Sequence, residues 1–255
     1  MKLKSAFYLP ILVVIAFLLV WDVLVRMSGS DLFPSPVEVF WGLAELVKEG
    51  LLFKYIVASL FRVTVGFTLA ILVGVPFGLL LGWSRHAQEA FNPLIQAFRP
   101  ISPIAWIPVA ILWFGISDAA PIFLIFLASV FPITVSAAAA VKSVPTVYLR
   151  AAHNFGLTRS QLVRRVILPA TLPQILTGLR IALGVAWLVV VAAEMIAVNS
   201  GLGYLIIDAR NAGKRYDLVV AGMVLIGAIG WLLDVLIRQA ERFQGVRWAY
   251  GVRHD

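Results

Sequence analysis

Apolar runs long enough to cross a bilayer, roughly 20 residues each, recur along this chain between short polar stretches. They cover residues 8–27, about 55–83, 91–114, 121–141, 172–198 and 218–237. Six such runs predict six transmembrane helices. The gaps between them are too short for a soluble domain, so residues 1–255 are expected to form a single transmembrane domain in an all-α integral membrane protein. The first run follows Lys2 and Lys4 but leads to no small-x-small cleavage pattern, so it is expected to remain as an anchor. Asp22 and Arg26, one turn apart near its end, are placed to pair.

Three spans carry features that plain lipid-facing helices do not need. In the second, Gly66, Ala70, Gly74, Gly78 and Gly82 form a row of small residues at four-residue spacing, with Pro76 inside it. Such a row lets another helix approach backbone to backbone. The third contains Pro93, Pro100, Pro103 and Pro108, which predicts a broken helix. Irregular backbone at membrane depth persists where it is buried in protein or lines a cavity. The fifth holds Arg180, Trp187 and Glu194 at seven-residue steps, which keeps them near one face with a drift of only ~20° per step. Arg180 and Glu194 lie about 21 Å apart along that helix and cannot pair with each other. Two readings stay open for this stripe: each residue bonds a neighbouring helix, or the stripe, with Arg99 of the third span, faces a polar translocation path.

Two loops have some character. Residues 34–50 offer Ser35 as a helix cap before Pro36, then Val39, Phe40, Leu43, Leu46 and Val47 at helical spacing, which suits a helix lying flat at the membrane surface. Residues 199–217 are glycine-punctuated and read equally well as a connector.

Composition supports the membrane reading. The chain is 61% hydrophobic and only 13% charged, far from the balance of soluble domains. Its net charge of +8 would suggest nucleic acid if the cations clustered on one surface, but they fall mostly between the apolar runs, so no nucleic-acid partner is expected. With the N-terminus in the cytoplasm, twelve Lys and Arg lie inside (Lys2, Lys4, Arg85, Lys142, Arg150, Arg159, Arg164, Arg165, Arg238, Arg242, Arg247, Arg253) against seven outside (Arg26, Lys48, Lys54, Arg62, Arg210, Lys214, Arg215). That bias places both termini, and the segment between spans four and five, in the cytoplasm. No cysteine is present, which excludes disulfides and thiol chemistry; the three histidines, His86, His153 and His254, are scattered, so neither a metal site nor a catalytic cluster is expected. The spans carry no relay of acids and histidines such as an ion-driven transporter would use.

The segment from about 144 to 168 is the polar elbow of the chain. Pro145 suits a first helical turn, Gly156 a left-handed stop, and Thr158 with Gln161 a capping box for a second helix running to Pro169. Two short helices meeting at a corner make a plug for a groove in another protein.

The sequence "RAAHNFG…VILPATLP" within that elbow resembles the EAA loop of type I ABC-importer permeases. The stretches "SLFRVTVGFTLAILVGVPFGLLLGWSR", "RPISPIAWIPVAILWFGISDAAPIFLIFLASVFP" and "LTGLRIALGVAWLVVVAAEM…SGLGYLI" are similar to its nitrate/taurine/sulfonate branch, so the likeness covers nearly everything from Phe33 onward. It departs at Arg150, where the family motif usually has glutamate. The resemblance implies the type I importer permease fold with a cytoplasmic coupling helix, in a homodimer in the bacterial inner membrane. Two cytoplasmic ATP-binding subunits would hold ATP and magnesium, and a periplasmic or lipid-anchored solute-binding protein would dock on the far face. Residues Arg150, Ala151, Ala152, His153, Phe155, Gly156 and Leu157 would then contact the ATPase. The chain has no phosphate-binding GxxxxGK[ST], so it is expected to be no enzyme and to hold no cofactor of its own. The expected solute is small, polar and anionic, of the sulfonate, taurine, nitrate or bicarbonate class. An ion-coupled secondary transporter, or a family permease for an unrelated organic solute, is the alternative.

Overall fold

In the computed structural model, which describes residues 2–29 and 32–241, every regular element is helical. Arg242, Arg247 and Arg253, counted above toward orientation, lie outside the described residues. Eleven α-helices follow one another: α1 (Lys2–Ser28), α2 (Pro36–Lys48), α3 (Leu51–Trp83), α4 (Arg85–Phe98), α5 (Ile107–Phe114), α6 (Ala119–Lys142), α7 (Thr146–Asn154), α8 (Arg159–Leu162), α9 (Leu168–Ala197), α10 (Leu202–Gly213) and α11 (Tyr216–Glu241). A 3-10 turn, Pro103–Trp106, precedes α5, and a π-helical turn, Val163–Ile167, joins α8 to α9.

Five continuous helical stretches are long and apolar enough to span a membrane: Tyr8–Ser28, Leu51–Trp83, Ala119–Lys142, Arg159–Ala197 and Tyr216–Gln239. The expected third span is instead two helices, Arg85–Phe98 and Pro103–Phe114, meeting at 81°. Pro100 and Pro103 explain the break. Each lacks an N–H for the helical ladder, and each disfavours helical geometry in the residue before it.

The bundle is built around α6, which lies between α3 and α9. The small-residue row of α3 is its seam with α6. A Cβ at Gly78 would sit 2.5 Å from the Thr134 carbonyl oxygen and 2.6 Å from Ala137 Cβ; one at Gly82 would sit 2.6 Å from Val141 Cβ. Gly66 and Gly74 meet Ile125 and Ile133 in the same way, with Cβ positions 2.8 and 2.9 Å away. Only hydrogen fits at these positions, so the backbones close on each other as the row predicts. From Tyr8 to Ser28 helix α1 buries none of its side chains in the bundle, as expected of an anchor solvated by lipid. Arg26 reaches Asp22 at 2.7 Å.

Helix α2 starts at a full capping box, in which the Ser35 side chain accepts from the Glu38 N–H and Glu38 accepts from the Ser35 N–H. It turns Val39, Gly42 and Leu46 inward, while Phe40, Trp41 and Val47 remain exposed for a bilayer surface.

Candidate coupling elbow and buried polar sites

The elbow forms largely as its sequence requires. Helix α7 ends in a Schellman motif: the Leu157 N–H donates to the Ala152 carbonyl at 3.1 Å and the Gly156 N–H to the His153 carbonyl at 2.9 Å. Gly156 sits at φ +66°, where a side chain would be strained. Thr158 and Gln161 form the reciprocal capping box of α8. The second elbow helix departs from expectation because it does not stop at Pro169. Its π turn lets the Leu168 N–H donate to the Val163 carbonyl, five residues back, and Pro169 follows where no donor is needed. Helix α8 therefore runs on into α9, and the elbow is continuous with a membrane span from Arg159 to Ala197.

Ala152 is buried against this turn, whereas Arg150, His153 and Phe155 point outward; Phe155 is 83% exposed and Val147 68%. Tyr148, Ala151, Phe155, Leu157 and Pro169 border an apolar groove of about 380 Å³. Exposed aromatic and aliphatic groups around a groove, at a corner of fixed geometry, suit a protein partner.

The charges at membrane depth are distributed in a way the sequence reading did not foresee. Arg62, counted above among the outer charges, is 1% exposed inside α3. Its guanidinium donates to Glu194 Oε1 at 2.6 Å, to Asp118 Oδ1 at 2.7 and 2.9 Å, and to the Ser200 carbonyl at 2.7 Å and Oγ at 2.5 Å. Glu194, fully buried, also accepts from Ser59 Oγ at 2.8 Å and the Gly203 N–H at 3.0 Å. At Gly201, φ +107°, a Cβ would collide with the Glu194 carboxylate, and at Gly203 it would collide with the Val191 carbonyl and Glu194 Cβ. Two spans, α3 and α9, the loops that hold Asp118 and Ser200, and the start of α10 thus meet on one saturated ion pair. The legible signal was an arginine within an apolar run; its partners Ser59, Asp118 and Ser200 carried none.

Trp187 is buried too, its indole N–H donating to the Ile226 carbonyl of α11 at 3.0 Å. Arg180 lies 3.4 Å from Asp234 of α11 and is about a third exposed. Of the two readings left open for the Arg180–Trp187–Glu194 stripe, the bonded-neighbour one is realised at Trp187 and Glu194. Both are buried within the chain in this structure. Arg99 differs. It is the residue at which α4 ends, it is exposed, and it makes no ion pair or side-chain hydrogen bond among the described residues.

On the side of the bundle away from the elbow, Arg215 clamps α2 to the start of α11, reaching Glu45 Oε2 at 2.6 Å and Asp217 Oδ2 at 2.8 Å. The Arg215 hydrogen bond holds the Glu45 carboxyl below its ordinary value, and the paired carboxylates of Asp217 and Glu45 push the Arg215 guanidinium up.

Residues 74–244 match the family described as the binding-protein-dependent transport system inner membrane component. The chain belongs to that family. The permease is 39% identical over 230 residues to the taurine transport system permease protein TauC of Escherichia coli K12, covering 87% of this chain and 82% of TauC. It is 35% identical over 242 residues to the nitrate import permease protein NrtB of a Synechocystis strain, covering 91% and 87% of the two chains. Its identity to the bicarbonate transport system permease protein CmpB of Synechococcus elongatus is 34% over 249 residues, or 92% and 88%. Among solved structures, an inward-facing MetNI methionine ABC transporter superposes with a TM-score of 0.67 at 22% identity, covering 76% of the permease and 96% of the matched chain. A bacterial alginate ABC transporter gives 0.63 at 17% identity over 94% and 95%. The fold is that of type I ABC-importer membrane subunits. The chain is a permease subunit of an ABC transport system in the inner membrane, and not an enzyme.

Proposed function

We propose that this permease imports a small polar solute bearing an anionic oxygen group, of the sulfonate, taurine, nitrate or bicarbonate class, received from a periplasmic or lipid-anchored binding protein. The observation that carries the transport reading is the elbow: a Schellman corner and a capping box hold exposed Phe155 and Val147 beside an apolar groove, and α8 runs on into α9 as one continuous helix. The coupling residues are Arg150, Ala151, Ala152, His153, Phe155, Gly156 and Leu157. They seat against a cytoplasmic ATPase subunit that supplies the ATP and magnesium chemistry. Two copies of the permease pair in the membrane as one transmembrane domain each, with both termini in the cytoplasm. Closure of the ATPase pair swings the elbows together, and the continuous α8–α9 helix carries that motion into the bundle. This gives a two-state element biased from both ends.

The solute class is supported by the three relatives, whose names specify taurine, nitrate and bicarbonate. Arg99, which has no ion-pair partner among the described residues, adds positive charge at the broken span. The test is uptake of radiolabelled taurine, nitrate and bicarbonate by vesicles holding the permease, its co-purified ATPase and its binding protein. ATP-dependent accumulation of one of the three is the expected result. Uptake that is independent of ATP and follows an ion gradient would favour a secondary transporter instead.

A further inference from the structure

Helix α4 has a polar face for which the bundle provides no partner. Arg85, Gln88, Asn92, Gln96 and Arg99 fall within roughly an 80° arc of it. Gln88, Asn92, Gln96 and Arg99 border a cleft of about 180 Å³ against α6, which contributes Thr134 and Lys142. No side-chain hydrogen bond from these three amides, from Arg99 or from Lys142 is formed among the described residues. The carboxylate nearest in sequence, Glu89, is held by Arg85 at 2.7 Å, and no acid lines the cleft. At one end stands Lys142, three residues before Pro145 and the elbow; at the other Arg99 stands at the break of the span. Polar groups without partners at membrane depth are costly unless water or a solute reaches them.

We propose that this α4–α6 cleft is an anion-selective segment of the translocation path, with Arg99 as the residue that holds a small oxyanion. The proposal rests on the importer reading above and assigns it a site. A sulfonate, nitrate or bicarbonate presents several acceptor oxygens and no cation. Arg99 offers a positively charged fork of N–H donors, and the amides of Gln88, Asn92 and Gln96 offer further donors one turn apart. Lys142 draws the anion toward the elbow side without a matching fork, so it attracts and releases. Rows of Arg and Lys lining a pore select anions on this principle. Arg99 lies about 21 Å along the helix from Arg85, so the polar face runs the length of α4 up to the break.

The native chain has no cysteine, so Asn92→Cys and Gln96→Cys can be placed singly in the full chain and probed in inverted membrane vesicles. The probes are a methanethiosulfonate reagent bearing a sulfonate and one of similar size bearing a trimethylammonium group, each normalised to a free thiol. Both positions should react faster with the anionic reagent, by on the order of ten-fold. Arg99→Gln should bring that ratio close to one, Arg99→Lys should keep most of it, and Lys142→Gln should lower it several-fold. Unreactive cysteines at both positions, or a ratio indifferent to both cations, would overturn the site. An anion uptake that survives Arg99→Gln undiminished would also overturn it while leaving the importer reading intact. Charge-selective labelling in a protein that transports none of the three anions would support the site and remove the proposed solute class.

Discussion

The Arg62–Glu194 pair shows why a buried charge is more informative once its neighbours are known. A lone carboxylate at that depth would be prohibitively desolvated. Two hydrogen bonds besides the ion pair, and two glycines that let the backbone come close, make its burial tolerable. Removing one partner should therefore cost far more than removing both. Glu194→Leu is expected to destabilise the folded permease by about 3–5 kcal/mol, while adding Arg62→Leu should recover part of the loss. Thermal unfolding of the purified single and double variants checks this; strictly additive losses would show that the two side chains are not energetically coupled. Glu45 and Arg215 make a contrasting, half-exposed pair. The Glu45 carboxyl lies below its ordinary value of 4.5, so its bond stabilises the clamp fully above that value and is lost as the pH falls through the lower folded value. Wild type should accordingly exceed Glu45→Gln in thermal stability at pH 7, and the difference should shrink as the pH falls below the ordinary carboxyl value of 4.5. A difference that is constant across that range would mean that the pair does not titrate with folding.

Among the helices, the seam and the elbow respond to different substitutions. In the α3–α6 seam even one methyl group is too many: at Gly78 a Cβ would already overlap the Thr134 carbonyl. Gly78→Ala is expected to lose about 1–3 kcal/mol through overpacking, and Gly78→Leu to abolish most of the folded yield in size-exclusion chromatography. A normal yield of Gly78→Leu would mean that the helices do not close on this row. Gly156 stands in open space, so its constraint is conformational only. Gly156→Val should strain the left-handed position by about 1–2 kcal/mol and displace the corner. Membrane insertion and bundle stability should be retained, while co-purification of the ATPase and uptake fall together. An unchanged ATPase yield from Gly156→Val would detach the elbow from coupling. The π turn after α8 matters on the same scale, because it keeps α8 helically continuous with α9 where a proline stop would have ended the helix.

For the whole molecule, the division between what could be read and what could not follows the range of the interactions. Features set by neighbours in the chain were legible. These are the apolar lengths that make spans, the glycine row, the proline break, the Ser35 and Thr158 caps, and the glycine that turns the elbow. Each depends on a few consecutive residues and on local geometry that any tertiary context must respect. The five continuous spans and the two-helix form of the elbow were legible for the same reason. Pairings between distant segments were decided only in three dimensions. Arg62, Asp118 and Glu194 are joined from three segments of the chain, and nothing in their individual surroundings announces the meeting. The seven-residue spacing of Arg180, Trp187 and Glu194 correctly put them near one helical face; the helices packed there, α3 at one end and α11 further along, determined that this face is interior. The polar face of α4 is the reverse case. Its spacing was present in the sequence but lay across the start of an apolar run, and only the bend after Phe98 and the position of α6 turn it into a cleft. Periodicity specifies which residues share a face, since it is a property of one helix; what that face meets depends on packing among all of them.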